Sequence, residues 1–347
     1  MHIPHSRPFL GRREHQALRR VITSRQIAQG AEVEAFEQSM AQALGRKHAA
    51  AVQSGTAALH LALIVLGVGR NDSVAIPSYV CSSLVHAVNM VGARPLLIDV
   101  DRETYNMNPD DLRRRLRPRT KAIILPHMFG LAAEVDDIAV QGVPVIEDCA
   151  MSLGAQYQGK PVGSFGTLSV VSFYATKMIA TGEGGMVLGN RATLLREVRD
   201  LRSYDGHRRH RSRFNYKMTE IQAAMGRAQL TRLSSFIRRR RQLATRYKRA
   251  LETGPWELPT SEQHHIYYRF VIRAHNRAQR FLSRLNDLGI EARRPVFKPL
   301  HRYFELEGFP GTDEAFRKAV SIPLYPALTT AESHHVIEAT QRAGAAS

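Results

Sequence analysis

Two short apolar segments, each followed closely by a reactive polar residue, constrain the fold of this chain most strongly. Residues 143–147 and 168–174 have the pattern of buried strands, and they are followed by Asp148 and Lys177 respectively. Ligands of open α/β sheets bind outside the carboxyl ends of the strands. A carboxylate and an amine delivered there by neighbouring strands are well placed for chemistry. The stretch from 144 to 190 therefore predicts a site at one edge of a sheet.

The glycines after the lysine strengthen this interpretation. Gly182, Gly184 and Gly185 follow Lys177 within a few residues. Glycine permits a positive φ and lets the backbone approach a ligand closely, so this segment is suited to contact one.

Apolar strand patterns alternate with amphipathic helical patterns up to residue 190. Strands are predicted at residues 49–52, 74–77, 95–100 and 121–126, and helices at residues 14–23, 32–44, 57–66, 82–91 and 112–116. This alternation predicts βαβ units and a mainly parallel sheet. Beyond it, the sequence predicts one or two helices at residues 221–252, a loop at 255–259, a strand at 267–272, and helices at 277–289 and from 330. We therefore predict an α/β fold with a large domain at residues 1–228, its sheet sandwiched by helices, and a smaller C-terminal α/β domain at 229–347.

The composition excludes several classes of protein. Hydrophobic residues make up 44% of the 347 residues, which argues against a disordered chain. No apolar run approaches the roughly 18 residues of a membrane span, and the basic first 20 residues lack an apolar signal core. We therefore expect a cytoplasmic protein. The two cysteines, Cys81 and Cys149, are too few for a disulfide framework or a zinc site, so no metal is expected.

The chain is strongly basic, with 49 Lys and Arg against 31 Asp and Glu and a formal charge of +18. Such a charge attracts polyanions, including nucleic acid and phosphorylated metabolites, although it is equally compatible with solvated helix faces. The excess recurs at residues 12–20, 113–119, 208–213 and 238–241. The last segment spans a helical turn, so at least one arginine there must extend its head to solvent or find a carboxylate.

An anion site is predicted where Ser54, Gly55 and Thr56 join a strand to a helix. The first N–H groups of a helix bind anions, although this tripeptide also suits an ordinary N-cap. Pyridoxal phosphate requires a lysine that holds it as a Schiff base, a carboxylate for its pyridine nitrogen and donors for its phosphate. Lys177, Asp148 and this turn meet those requirements. No G-x-S-x-G, G-x-G-x-x-G or P-loop pattern favours another chemistry.

Five ordered motifs make the chain resemble a known family. They are SGTAALHLAL, VIEDCAMSLGA, GSFGTLSVVSFYATK, GEGGMV and FNYKMTEIQAA. In this order and spacing they resemble the DegT/StrS family of pyridoxal-phosphate-dependent sugar aminotransferases, a fold type I group. The resemblance implies that Lys177 holds the cofactor and that Asp148 partners its pyridine nitrogen. The phosphate ligands that it implies are Gly55, Thr56 and Ser172. It also implies a homodimer, because Asn215 would reach the phosphate in the other subunit.

Two positions depart from the family pattern. Met151 stands where the family has a glutamine or histidine that contacts the cofactor, and a thioether cannot donate a hydrogen bond. Cys81 stands where the family commonly places an aromatic residue on the cofactor ring. Nearby Tyr79 is an alternative stacking residue.

The activity implied by the resemblance is ping-pong transfer of an amino group from L-glutamate, or glutamine, to a keto-sugar. The acceptor would most often be linked to a nucleoside diphosphate, which the arginines at 208–213 suit in charge. His301 and Tyr325 lie in motifs resembling those near the substrate, and either is equally a packing residue. One alternative is a sugar dehydratase, although such relatives carry histidine at the position of Lys177. Another is a basic nucleic-acid-binding regulator without catalysis.

Overall fold

The structure is a computed structural model that describes residues 1–139, 141–259, 264–275 and 278–345. Its α-helices are Arg12–Ser24 (α1), Ala31–Ala43 (α2), Gly55–Val65 (α3), Ser83–Met90 (α4), Pro109–Arg115 (α5), Val135–Ala139 (α6), Ala192–Leu201 (α7), Glu220–Leu230 (α8), Leu233–Ala250 (α9), Ala278–Asp287 (α10), Pro310–Lys318 (α11) and Thr330–Ala345 (α12). Its strands are His48–Val52 (β1), Ser73–Pro77 (β2), Arg94–Ile98 (β3), Thr120–Pro126 (β4), Val145–Asp148 (β5), Gln156–Tyr157 (β6), Lys160–Pro161 (β7), Leu168–Ser172 (β8), Gly185–Gly189 (β9), Trp256–Glu257 (β10), Phe270–Ala274 (β11) and Ala319–Ile322 (β12).

The central sheet has seven strands in the order β1-β9-β8-β5-β4-β2-β3. The neighbouring strands β8 and β5, β5 and β4, β4 and β2, and β2 and β3 pair in parallel. The strand β9 runs antiparallel to both of its neighbours, β8 and β1. The mainly parallel sheet predicted from the sequence is therefore confirmed. The sequence did not predict β9, because its glycines indicated a loop rather than a strand.

Successive residues of each central strand face opposite layers of the molecule. Ile124 and Ile146 belong to the core beneath α3, α4 and α7, whereas Ile123 and Val145 belong to the core on the other face. Side chains alternate along a strand. Asp148, two residues after Ile146, consequently lies on the α3 side of the sheet.

A second core forms around the antiparallel sheet β10-β11-β12, with residues of α9, α10 and α12. Ile3 joins this core and forms a bridge with Ile290, so the beginning of the chain packs with its C-terminal part. The helical segment predicted after residue 221 is divided into α8 and α9, and the loop predicted at 255–259 contains β10. The domain boundary predicted after residue 228 lies within α8 and stays a prediction.

In the arginine run at 238–241, Arg240 is the residue that lies inside the protein. It is buried in α9, and its Nη1 donates to the carbonyl oxygens of Tyr268 at 2.9 Å and Leu324 at 2.8 Å. One arginine of the run therefore lies on the inner face of the helix, but its guanidinium meets carbonyl oxygens rather than solvent or a carboxylate, the two expected outcomes. Among the helices that the structure describes, none combines the length and apolarity needed to cross a membrane.

Candidate active site

A cavity of about 480 Å³ opens beside the carboxyl ends of β5 and β8. This volume is within the range of ordinary small-molecule sites. The residues around it that carry polar or reactive groups are Ser54, Thr56, Cys81, Ser82, Ser83, Asp148, Ser172, Tyr174, Thr176, Lys177, Glu183, Tyr268, Arg269, Lys298 and Tyr303. The strands β5 and β8 are neighbours, so the aspartate and the lysine come to one cavity from adjacent parts of the sheet.

The first turn of α3 forms one wall of the cavity. Ser54 caps the helix, accepting a hydrogen bond from the Ala57 N–H at 3.1 Å, and Gly55 and Thr56 line the cavity. Gly55 lies so close to Ser172 that an added Cβ would meet the serine Cβ at 2.8 Å. Ser54 therefore acts as the N-cap of α3, as the alternative interpretation of this tripeptide predicted. The helix start and the Ser172 hydroxyl together remain suited to an anion.

Lys177 lies in the loop that connects the antiparallel strands β8 and β9. Hydrogen bonds close this loop from Phe173 N to Gly184 O at 2.9 Å and from Ala175 N to Gly182 O at 3.0 Å. The lysine is half-buried, and its Nζ lies 5.5 Å from the centre of the Tyr268 ring. The backbone of the loop is thus held in place by hydrogen bonds, while the long side chain of Lys177 brings its amine to the cavity wall.

Asp148 is buried at the end of β5, with 7% of its surface exposed. Its Oδ1 accepts a hydrogen bond from the Ala150 N–H at 2.9 Å. Burial raises the pKa of this carboxyl above its usual value, while the Ala150 N–H and the charge of Lys177 act in the opposite direction. A carboxylate in such a place gains most from a cationic partner that enters the cavity.

Sequence reasoning missed several residues of the cavity wall, among them Tyr268 and Arg269. Burial would raise the pKa of the Tyr268 hydroxyl, but the charges of Lys177 and Arg269 outweigh it and lower the pKa to about 8. The hydroxyl also lies 3.4 Å from Thr176 Oγ1. The available signal was an arginine placed directly before the apolar strand β11, where it could not itself join the core.

Met151 and Cys81, the two positions that depart from the family pattern, both line the cavity. Met151 is half-buried and Cys81 is exposed. Tyr79 is fully buried, and its ring stacks on Tyr105 at 5.8 Å between centroids. The alternative that Tyr79 stacks on a ligand in the cavity is therefore wrong, because its ring is already packed in the core.

Three further predicted site residues lie outside the cavity lining. His301 Nδ1 lies 2.8 Å from Ser78 Oγ and its ring stacks on Phe309, while Tyr325 packs in the second core. Both side chains are thus packed against other residues, and their contact with a substrate stays a prediction. Asn215 is exposed on the same chain, and its contact with a second subunit stays a prediction. In the predicted basic segment, Arg211 forms ion pairs with Glu197 and Asp200.

Comparisons with known proteins identify the class. The model of the DegT/DnrJ/EryC1/StrS aminotransferase family matches residues 8–341, so the chain belongs to this family. The aminotransferase TlmJ from Streptoalloteichus hindustanus is 30% identical with a TM-score of 0.95, and 100% of each chain is covered. The aminotransferase PseC from Helicobacter pylori, involved in the biosynthesis of pseudoaminic acid, is 23% identical with a TM-score of 0.94 over 100% of both chains. Spr1654 from Streptococcus pneumoniae, in its PLP form, is 23% identical with a TM-score of 0.92, covering 99% of this chain and 98% of that one.

The family assignment settles the fold and the type of chemistry. The chain has the fold type I architecture and is a pyridoxal-phosphate-dependent sugar aminotransferase. The cavity fits this cofactor. The absence of a side chain at Gly55 lets Ser172 approach the first turn of α3, so that the helix N–H groups and the serine hydroxyl face one place. The buried Asp148 has acceptor capacity beyond its bond to Ala150.

Proposed function

We propose that this enzyme transfers an amino group from L-glutamate, or glutamine, to a keto-sugar linked to a nucleoside diphosphate, in the synthesis of amino sugars for polysaccharides or secondary metabolites. The observation that carries the proposal is the meeting of Lys177, Asp148 and the first turn of α3 in one cavity. We also propose that the enzyme works in the cytoplasm.

Each of these residues has a distinct proposed task. Gly55, Thr56 and Ser172 would hold the cofactor's phosphate through the helix start and the serine hydroxyl. Asp148 would keep the pyridine nitrogen protonated, since a buried carboxylate stabilises a cation beside it. When bound, pyridoxal phosphate supplies a carbonyl carbon that accepts amino groups and a ring that withdraws electrons.

Lys177 would both hold the cofactor and move a proton. Its Nζ is the amine of the cavity wall nearest to the ring of Tyr268, on a loop closed by backbone hydrogen bonds. We propose that Nζ removes the proton from the Cα of the amino donor and, in the second half of the reaction, returns a proton to the sugar carbon. A histidine in place of this lysine would favour the dehydratase alternative, and the lysine is present.

We propose a homodimer with a shared active site. Asn215 is exposed and lies outside the cavity lining of its own chain, which supports a contact across a subunit interface. The neighbouring Tyr216 is fixed by a hydrogen bond from the Gln53 N–H to its carbonyl oxygen at 2.8 Å. Gln53 directly precedes Ser54, the N-cap of α3, so this bond supports a position of Asn215 near the start of that helix.

Borohydride reduction tests the proposed role of Lys177. The purified enzyme should absorb visible light from its cofactor, and reduction followed by peptide mass mapping should place the cofactor on Lys177. The variant Lys177→Ala should keep its far-ultraviolet circular dichroism and lose the adduct. An adduct on another lysine would contradict the assignment.

The substrates are tested separately. Wild-type enzyme is incubated with L-glutamate and a panel of nucleotide-linked keto-sugars, and 2-oxoglutarate release is followed. Release that requires one of these sugars supports the proposal. Turnover with free keto-sugars or cyclitol ketones alone would overturn the nucleotide-linked acceptor while leaving aminotransfer intact.

A further inference from the structure

Arg269 brings a guanidinium to the cavity without a carboxylate to neutralise it. The residue is half-buried and lines the cavity beside Tyr268. Its Nη1 lies 2.9 Å from the ring nitrogens of His5, and the ion pairs found among the described residues leave Arg269 without an acidic partner. Its positive charge is thus available to a ligand.

The imidazole that holds Arg269 is neutral. Burial, followed by the charge of Arg269 itself, lowers the pKa of His5 to about 3. The imidazole Nε2 lies 2.9 Å from Ser321 Oγ on β12, and the His5 backbone N–H donates to Glu291 Oε2 at 3.1 Å. The start of the chain therefore fixes the direction of the guanidinium without cancelling its charge.

The cations of this wall gather around one aromatic ring. Lys177 Nζ lies 5.5 Å from the centre of the Tyr268 ring, Arg269 Cζ lies 5.3 Å from it and Arg240 Cζ 5.9 Å. Arg240 is buried against carbonyl oxygens. In a site partly closed to water such an arrangement attracts an anion more strongly than the same charges would in solution.

The acidic residues of the lining do not offset these charges at the same place. Asp148 lies at the end of β5 on the α3 side of the sheet, where the cofactor is proposed to bind. Glu183 is exposed in the loop between β8 and β9. The wall formed by Tyr268 and Arg269 is consequently suited to a second anion, apart from the start of α3 where the phosphate is proposed to bind.

We propose that Arg269 binds the α-carboxylate of the amino-acid donor, an inference that rests on the proposed aminotransferase reaction. An α-amino acid carries its amine and carboxylate on one carbon, so the group that binds the carboxylate must lie beside the lysine that exchanges the amine. Arg269 Cζ and Lys177 Nζ both lie within 5.5 Å of the centre of the Tyr268 ring. Its planar fork of N–H donors also matches a carboxylate in two parallel hydrogen bonds.

The remaining cation of the lining, Lys298, provides a matched control. Its Nζ lies 4.4 Å from the centre of the Tyr303 ring, in a segment that includes the highly exposed Phe297. Removing this charge lowers the positive charge of the cavity as much as removing that of Arg269. A general electrostatic effect would therefore appear in both variants.

The first test measures binding without turnover. Maleate, a dicarboxylate without an amine, is titrated into the cofactor-loaded wild type, Arg269→Gln, Arg269→Lys and Lys298→Gln by calorimetry. Loss of a charged hydrogen-bonded contact should raise the Kd of Arg269→Gln by about tenfold to a hundredfold. Arg269→Lys should lie between, and Lys298→Gln should stay close to wild type. Equal binding by wild type and Arg269→Gln, or an equal loss in Lys298→Gln, would overturn the proposal.

The second test follows the conversion of the bound cofactor by L-glutamate in the absence of a sugar. Arg269→Gln should need about tenfold more glutamate for half-saturation, with cofactor content and thermal unfolding unchanged. If glutamate fails with wild type but another α-amino acid reacts, the proposed donor is wrong, and Arg269 is judged with that amino acid. If no amino acid reacts, the proposed donor class fails, and the maleate titration still decides whether Arg269 binds a carboxylate.

Discussion

Replacing Glu147 with glutamine tests how the site-bearing end of the sheet is held. The carboxylate is fully buried on the face of β5 opposite the cavity. Its Oε1 accepts from the N–H groups of Phe165 at 2.8 Å and Gly166 at 2.6 Å. Its Oε2 accepts from the Gly163 N–H at 2.7 Å and lies 3.1 Å from His127 Nε2. The buried Arg46 also donates from Nη2 to Oε1, at 3.5 Å. One side chain therefore faces five buried donors.

Glutamine has the same shape but only one acceptor oxygen. His127 Nδ1 accepts from the Ala133 N–H at 3.0 Å, so its Nε2 carries the proton and cannot accept from an amide. Whichever oxygen becomes NH2, at least two buried donors then face another donor, and the buried Arg46 loses its charged partner. Each such loss costs about 1–3 kcal/mol, so we expect Glu147→Gln to lower the free energy of unfolding by about 2–6 kcal/mol.

Urea denaturation followed by tryptophan fluorescence measures this difference. The exposed Glu252 is the matched control, since Glu252→Gln removes the same charge from the surface and should change stability by less than about 0.5 kcal/mol. A loss in Glu147→Gln no larger than that of the control would refute the reasoning from buried donors.

The pH dependence provides a second check. Burial would raise the pKa of Glu147, but the hydrogen bonds from His127 and from the loop N–H groups lower it below the ordinary value of 4.5. The folded chain therefore holds fewer protons than the unfolded chain. The stabilisation is complete above the ordinary carboxyl value and is lost as the pH falls through the folded value. The gap between wild type and Glu147→Gln should narrow in acid, and a gap independent of pH would contradict this account.

Two further predictions concern the cavity wall. Because the pKa of Tyr268 is lowered to about 8, the wild type should show tyrosinate absorbance from one residue before its other tyrosines titrate. The variant Tyr268→Phe should lose that early step. If the early step persists in the variant, it belongs to another tyrosine. A Cβ at Gly185 would lie 2.2 Å from Ser54 O, so Gly185→Ala should force β9 away from the start of α3 and weaken cofactor retention on dialysis. Gly69→Ala, which adds a methyl group to open space, is the control, and equal retention by both variants would refute the steric argument.

The sequence predicted the sheet where local patterns and packing agree. The strands β2, β4 and β5 lie among helices, and their continuous apolar runs indicated burial on both faces. The strand β9 has the same burial, but a glycine stands at each end of it. Its pairing with β1 depends on a contact between segments more than a hundred residues apart along the chain. That contact cannot be read from the local pattern, so the glycines were assigned to a loop.

The same limit applies to Tyr268 and Arg269. Lys177 and Asp148 stand at the ends of recognisable strands, so a sheet prediction brings them together. Tyr268 and Arg269 reach the cavity only because the part of the chain before β11 packs against the Lys177 loop, where Tyr268 Oη meets Thr176. The direction of Arg269 depends further on His5, which is far away in sequence. Such contacts follow from tertiary packing and leave no periodic signal.

Glu147 and Asp148 show how one strand separates support from chemistry. The two residues are adjacent in sequence, both carry a carboxylate, and both are buried. Alternation along β5 places them on opposite faces of the sheet. Glu147 meets five donors, and those from His127, Gly163 and Gly166 hold its pKa low, whereas Asp148 has one backbone donor and a raised pKa. An acid whose hydrogen bonds are already made cannot serve a ligand without destabilising the fold. The carboxylate left with spare acceptor capacity is therefore the one on the cavity side. A single-residue shift in the register of β5 would turn Glu147 toward the cavity in place of Asp148, the carboxylate proposed to serve the cofactor.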